Sequence, residues 1–165
     1  MVWFLDTNII VACLRGKSPA AMRRLQAVQA SDVRVPLQVH AELLVGAAKS
    51  NNPIQAKARV LSFLVPFVVA WPDAAVEDQY VAIRTELEAL GMPISEADLW
   101  IAATVRTAGG TLVTNNTHEF SRVQNLAHPA EARAGRAGGG ATNVDMGIHR
   151  LFASAADGST HVHSY

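Results

Sequence analysis

The sequence predicts an α/β fold, with a central parallel sheet of four to five strands flanked by helices on both faces. Short β-branched or aromatic segments at 2–5, 33–36, 66–70 and 111–114 alternate with longer segments whose apolar residues recur at helical spacing. Strands that alternate with helices favour parallel pairing, because each helix returns the chain to the same end of the sheet. Of the 165 residues, 50% are hydrophobic and 17% are charged, which excludes collagen-like and globally disordered chains.

Capping and breaking residues set the elements of the first half. Asp6 follows the first strand and favours a helix start. Gly16 ends the resulting helix, and Ser18-Pro19 is a cap followed by proline at the first helical position. Asn51-Asn52-Pro53 separates two further helices. The expected elements are a strand at 2–5, helices at 9–14 and 20–29, a strand at 33–36, and helices at 40–50 and 54–64.

The same signals divide the second half. Asp73 is expected to cap a long helix that Gly91-Met92-Pro93 ends, and Ser95 to cap the next helix, which closes at Gly109-Gly110. The expected elements are a strand at 66–70, helices at 74–90 and 96–107, a strand at 111–114, and a short helical segment around 119–123.

The composition changes at about residue 128. Residues 128–165 contain six of the eleven glycines and show little apolar periodicity. We therefore expect a folded domain at 1–127 and an atypical Gly-rich C-terminal tail at 128–165, flexible and outside the core.

Charge and cysteine content restrict the function classes. Lys and Arg together number 14, as do Asp and Glu, so a broad basic surface is not expected, although a local basic patch is. The single Cys13 excludes an intrachain disulfide and a cysteine-based zinc site. No apolar stretch reaches the length of a membrane helix, and no signal-peptide pattern is present, so we expect a cytoplasmic protein without membrane partners.

Acidic and polar residues are placed where an α/β sheet binds ligands. Asp6 ends the first strand, and Asn116 follows the last one. The carboxyl ends of parallel strands share one edge of the sheet, so these residues can face one crevice. Glu42 and Asp98 each precede strongly apolar helical sequence, where a carboxylate is costly unless it is paired or bound to metal. Glu119 is the fifth candidate.

These residue types indicate a hard cation. Oxygen ligands without cysteine or a histidine pair suit Mg²⁺ or Mn²⁺ rather than zinc. A cation held by carboxylates can generate a nucleophilic water and stabilise charge on a phosphodiester. Spacing alone leaves other interpretations open: Asp6 and Asp98 can be helix caps, the latter paired with Ser95, and Glu42 can be a solvated helix residue.

Four segments together resemble the PIN-domain family, in particular the VapC-type toxins of bacterial toxin–antitoxin pairs. The segments are LDTNI (5–9), HAELLVGAAKS (40–50), ISEADLWIAATV (94–105) and TLVTNNTHEFSRV (111–123). Their order and separation match across residues 1–126. The resemblance implies a PIN-like nuclease domain and a metal-dependent endoribonuclease acting on RNA, often transfer RNA. It also implies a cognate antitoxin protein and a homodimer.

The resemblance assigns roles to individual residues. Asp6, Glu42 and Asp98 match the three acids of the family. Asp6 and Asp98 are expected to hold Mg²⁺ or Mn²⁺, and Glu42 to bind the metal or to position the water. Asn116 and Glu119 match the fourth corner of the site and are expected to support it. Thr7 and Asn8 match positions that steady the first acid.

The sequence departs from the family pattern in two places. Ala97 stands where an Asn often precedes the third acid, and Ala127-His128-Pro129 replaces the usual closing strand with its LRVEDW-like pattern. Together with an Asn at the fourth corner, these departures motivate an alternative, a catalytically impaired PIN module that binds its antitoxin or RNA without cleavage. The basic residues Arg15, Lys17, Arg23 and Arg24 are either phosphate contacts beside the acids or a solvated face.

Overall fold

The computed structural model describes residues 1–127, without the side chains of Ala20 and Arg24. Within this range four strands form one sheet, in which every neighbouring pair is parallel and the order is β3-β2-β1-β4. The strands are β1 (Trp3–Leu5), β2 (Val33–Pro36), β3 (Val68–Ala70) and β4 (Thr111–Val113). The predicted α/β class with a parallel sheet is confirmed. The predicted tail at 128–165 lies outside the described residues.

Seven α-helices within residues 1–127 flank this sheet. They are α1 (Thr7–Leu14), α2 (Pro19–Ala27), α3 (Leu37–Ala48), α4 (Pro53–Leu64), α5 (Ala74–Ala89), α6 (Glu96–Thr107) and α7 (Thr117–Phe120). A short 3₁₀ helix, Ala30–Asp32, which the sequence did not predict, joins α2 to β2. Along residues 1–127, no helix combines the length and the apolar character that a membrane crossing requires.

Strand β1 occupies an inner position and sets the register of the sheet. Trp3 faces Val33 of β2 on one side and Thr111 of β4 on the other, and Leu5 faces Val113. The backbone N–H of Asp6 continues this pairing by donating to the Val113 carbonyl, at 3.0 Å. The carboxyl ends of β1 and β4 therefore lie side by side, and the residues that follow them are neighbours.

The core lies between the sheet and its helices. The largest side chains with almost no exposure come from β1, β2, β4 and five helices, and include Phe4, Phe120, Leu112, Ile10 and Ile101. The polar residues buried among residues 1–127 are Asp6, Ser18 and Thr104. Asp6 is the acid in this group, which marks it as a residue whose burial needs a specific explanation.

Helices α1, α3 and α7 begin two or three residues earlier than predicted, and α2 and α4 begin one residue earlier. Helix α3 begins at Leu37 instead of His40, because Pro36 already has a fixed φ of −56° and lacks an N–H that would need a partner. Helix α7 begins at Thr117 instead of Glu119, directly after Asn116. Glu42 consequently lies in the middle of α3, and Glu119 lies inside α7.

The chain that follows α7 returns to the outer edge of β4. The Leu112 N–H, which points away from β1, donates to the Ala127 carbonyl at 3.0 Å. Val123 and Leu126 are buried on the way. The residues up to Ala127 therefore cover part of the outer edge of β4.

Gly110 allows α6 and β4 to approach β1 closely. A Cβ atom at this position would lie 2.4 Å from Cε2 and 2.7 Å from Cδ2 of Phe4, and 3.1 Å from the Val2 carbonyl oxygen. Real side chains do not tolerate such contacts, and the ring of Phe4 is fully buried, so it has little room to move. Glycine at position 110 is thus required by packing.

Replacing Gly110 with alanine is expected to destabilise the fold by about 1–3 kcal/mol, because the added methyl group overpacks a dense core. The measurement is urea-induced unfolding. Gly46→Ala is the matched control: nothing lies within 4 Å of its added Cβ. In the last turn of α3, alanine should stabilise the helix by up to about 0.5–1 kcal/mol. An unchanged unfolding midpoint for Gly110→Ala would contradict the packing argument.

Candidate active site

Asp6 is the most deeply buried acid of the site. Its side chain is 4% exposed. Oδ1 accepts from the Thr7 N–H at 2.7 Å, which caps α1, and Oδ2 accepts from the Thr114 hydroxyl at 2.6 Å. Burial raises the pKa of Asp6 above its ordinary value, and these two hydrogen bonds oppose that effect without cancelling it. Asp6 is therefore a helix cap and an oriented carboxylate at the same time.

Asp98 is held by the cap of α6. Its N–H donates to Ser95 Oγ at 3.1 Å, and the Ser95 hydroxyl donates back to Asp98 Oδ2 at 2.8 Å. Asn116 Nδ2 also donates to Oδ2, at 3.5 Å. The predicted capping arrangement between Ser95 and Asp98 is confirmed, and it leaves Oδ1 outside these contacts.

Thr114 and Asn116 connect the two aspartates. The Asn116 N–H donates to Thr114 Oγ1 at 2.9 Å, while the Thr114 hydroxyl donates to Asp6. With the contact from the Asn116 side chain to Asp98, a short chain of hydrogen bonds runs from one aspartate to the other. Sequence reasoning placed Thr114 at the strand end that faces the crevice but gave it no role in the site. The available signal was a hydroxyl residue at the end of a strand in register with β1.

Glu42 reaches the site from α3. It is exposed, and its Oε2 accepts from the Thr7 hydroxyl at 2.5 Å. Thr7 thus orients two acids, one through its backbone N–H and one through its side chain. Asn8, which the resemblance groups with Thr7, is exposed on α1.

Glu119 reaches the site from α7 and forms an ion pair with an arginine side chain. Arg122 Nη1 lies 3.3 Å from Glu119 Oε2, and His118 Nδ1 lies 3.5 Å from Oε1. Sequence reasoning missed Arg122. The available signal was its spacing of three residues from Glu119, which places the two side chains on one face of a helical turn.

The acids are close enough to influence one another. After burial and hydrogen bonding, the charges of Asp98 and Glu42 also raise the pKa of Asp6. Burial raises the pKa of Asp98 as well, the Ser95 hydrogen bond lowers it, and the charges of Glu119 and Glu42 raise it further. The structure therefore gathers all five predicted site residues around the carboxyl ends of β1 and β4, with each acid tied to a hydrogen-bond or ion-pair partner.

The sequence matches the PIN domain family over residues 3–126, which is most of the chain and all of its described fold. The chain belongs to the PIN domain family. All five site residues of this PIN domain lie within the matched residues.

Curated relatives of this PIN domain are named as ribonucleases. It is 35% identical over 124 residues to the tRNA(fMet)-specific endonuclease VapC of Shigella flexneri, covering 75% of this chain and 93% of the relative. It is 33% identical over 127 residues to Ribonuclease VapC2 of Rickettsia felis, covering 76% and 95%. Among solved structures, VapBC2 of Rickettsia felis bound to a DNA fragment from its promoter matches with a TM-score of 0.73 at 32% identity. That match covers 78% of this chain and 97% of the matched one.

The raised pKa of Asp6 has a consequence for the metal-free protein. The folded state holds the Asp6 proton more tightly than the unfolded chain does, where an aspartate has a pKa of about 3.9. The free energy of unfolding should therefore fall as the pH rises from about 4 through the folded-state pKa. Asp6→Asn has no ionisable group at this position and so avoids this fall in the free energy of unfolding. The variant should match or exceed the parent in stability at pH 7.

Chemical denaturation at a series of pH values measures this effect, with a chelator present. Asp73→Asn is the matched control, because Asp73 caps α5 through the Val76 N–H from an exposed position. The control should keep the pH dependence of the parent. The burial argument would be wrong if Asp6→Asn proved less stable than the parent at pH 7 and equally sensitive to pH.

Proposed function

We propose that this PIN domain is a Mg²⁺- or Mn²⁺-dependent endoribonuclease and the toxin of a type II toxin–antitoxin pair. The observation that carries the proposal is the convergence of Asp6, Glu42, Asp98 and Glu119 on one edge of the sheet. Family membership and the ribonuclease names of its relatives support the same activity.

The donor set suits a hard cation. Asp6 and Asp98 offer carboxylate oxygens whose charged forms are destabilised by burial, a cost that a divalent cation would offset. Mg²⁺ takes one or two carboxylates directly and completes its shell with water. No group of three acidic, histidine or cysteine side chains within residues 1–127 has the spacing of a preformed metal cluster. Two aspartates plus waters is accordingly the arrangement that fits these residues.

The remaining side chains supply orientation. A bound divalent cation of this kind lowers the pKa of a water and offsets charge on a phosphodiester. Thr114 and the Thr7 N–H fix the rotamer of Asp6, and Ser95 and Asn116 fix that of Asp98. We assign Glu42, held by the Thr7 hydroxyl, the role of orienting the attacking water and accepting its proton.

The substrate we propose is RNA, with transfer RNA as the first candidate, following the named specificity of the Shigella relative. Arg15, Lys17 and Arg23 are exposed on and beside α1 and α2. Their charges can bind phosphates that the acids of the site would repel. The matched VapBC structures support an antitoxin protein as the second partner, and we propose a cytoplasmic location for the pair.

Asp98→Asn tests the metal assignment. It should lower the rate of cleavage of a transfer-RNA pool in Mg²⁺ by at least about 100-fold, since loss of outer-shell partners alone costs about 10–100-fold. Thermal stabilisation by added Mg²⁺ should also shrink, because a ligand stabilises only the state that binds it. Asp73→Asn, at the cap of α5, is the control and should cut RNA at the parental rate.

Three outcomes separate the alternatives. A folded Asp98→Asn protein that still cuts at the parental rate would overturn the metal assignment. Loss of about 0.5–2 kcal/mol of stability, with activity reduced only in proportion, would make Asp98 a cap alone. A parent protein that binds antitoxin or RNA but cleaves nothing would be the catalytically impaired module.

We also propose a homodimer in which residues 37–65 contribute to the interface. Val45 on α3 and Ile54 and Leu61 on α4 are exposed apolar side chains of that segment. Symmetric pairs are the commonest assembly, and a net charge of zero opposes association little.

Light scattering at tens of micromolar should therefore show a dimer. Val45→Lys should produce a monomer, because it places a charge in the apolar contact. Val81→Lys, at an equally exposed position on α5, is the control and should leave the dimer intact. A monomeric parent protein would contradict the proposal.

A further inference from the structure

Arg122 joins two parts of the chain that carry acids of the site. Its Nη1 donates to the Pro93 carbonyl at 2.8 Å and lies 3.3 Å from Glu119 Oε2. Its Nη2 lies 3.3 and 3.4 Å from the ring nitrogens of His118. The Arg122 side chain is 24% exposed and that of Glu119 is 28% exposed. The guanidinium group is planar and rigid, so its contacts with Pro93 and Glu119 fix these two residues relative to each other.

The two segments that Arg122 joins both lead to Asp98. Pro93 lies two residues before Ser95, the residue that caps α6 and bonds to the Asp98 carboxylate. Glu119 is close enough that its charge acts on Asp98. Arg122 is therefore a cation placed between the carboxylate of α7 and the segment that delivers the third acid.

We infer that Arg122 is a positioning residue of this nuclease site. It neutralises Glu119 and holds that carboxylate against the segment before α6, so that Asp6 and Asp98, and not Glu119, bind the cation. This inference rests on the proposed function. It assigns Arg122 no contact with the cation or the RNA, and it gives Glu119 the role of an ion-pair partner.

The fold provides a matched control at the opposite end of α6. Arg106 is 13% exposed, lies 3.6 Å from Glu86 Oε2 and donates to the Gln124 carbonyl at 3.4 Å. Like Arg122, it joins a carboxylate and a backbone carbonyl from different elements, but no acid of the site is among its partners. Arg106→Ala therefore reports the effect of losing a structural arginine.

Binding of Mn²⁺ or Mg²⁺ alone, measured by calorimetry on the full chain, tests the charge argument. Arg122→Ala leaves Glu119 uncompensated and should tighten binding on the order of 5-fold, the size expected for one added charge acting through a solvent-screened distance. Glu119→Gln leaves Arg122 uncompensated and should weaken binding by a similar factor. The double variant should return to the parental affinity, and Arg106→Ala should not change it.

Cleavage and backbone protection test the positioning argument. At saturating Mg²⁺, Arg122→Ala should lower kcat by about 10–100-fold without changing KM for RNA, the effect expected of an outer-shell residue. Arg122→Lys keeps the charge and should restore the parental metal affinity and part of kcat. In metal-free protein, amide hydrogen exchange at residues 93–98 should be faster in Arg122→Ala and unchanged in Arg106→Ala.

Several results would overturn the inference. Weaker metal binding in Arg122→Ala would make Glu119 a direct ligand. The same conclusion would follow if the double variant bound metal as weakly as Glu119→Gln does. A raised KM with unchanged metal affinity would make Arg122 an RNA phosphate contact. If the parent binds no metal and cuts no RNA, the proposed function fails. Amide hydrogen exchange then tests the positioning role of Arg122 by itself. Unchanged exchange at residues 93–98 in Arg122→Ala would exclude that role as well.

Discussion

The hydrogen bond from the Thr114 hydroxyl to Asp6 is the contact on which the site depends. It joins residues 108 positions apart in the chain and closes the carboxyl ends of two adjacent strands around a buried carboxylate. An isolated buried charge is costly, so the fold must supply donors wherever it keeps Asp6 ionised. The cap of α1 provides the Thr7 N–H, and the parallel register of β1 and β4 provides the second donor, since it places Thr114 beside Asp6.

The other acids follow a common arrangement, in which each carboxylate comes from a different element and is restrained by a different partner. Glu42 is held by Thr7, Asp98 by Ser95, and Glu119 by Arg122. These contacts hold the acids in place against their mutual repulsion, and no two of these three acids share a side-chain partner. The arrangement has a cost in free energy, because burial raises the pKa of Asp6 and Asp98 and so disfavours their charged forms.

Local signals in the sequence predicted most of the fold and the placement of Asp6 and Asp98 at the starts of helices. Ser95 gave α6 its correct start and placed Asp98 in a capping box, because capping depends on residues within one turn. Asp6 was placed for the same reason, at the junction of a strand and a helix. The start of α3 was misplaced because nothing in the segment signals a cap, and Pro36 fills that position through its fixed backbone instead.

The contacts that sequence reasoning missed are those made across long separations. Thr114 reaches Asp6 only because β4 lies beside β1, and Arg122 reaches Pro93, 29 residues earlier, only because α7 packs near the start of α6. Neither distance can be read from spacing along the chain. The resemblance to a known family assigned roles to the acids of the site, but it did not indicate which arginine would balance them.

The two donors on Asp98 Oδ2 have a consequence for ion selectivity. Ser95 and Asn116 both donate to that oxygen, so the cation that we propose would find only Oδ1 outside these contacts on this side chain. Calcium favours carboxylates that bind through both oxygens and a large, flexible shell, whereas magnesium needs few direct ligands and keeps its waters. At the proposed metal site, a carboxylate restricted in this way would favour magnesium over calcium through the number of oxygens it offers, with no need for a cavity of matching size.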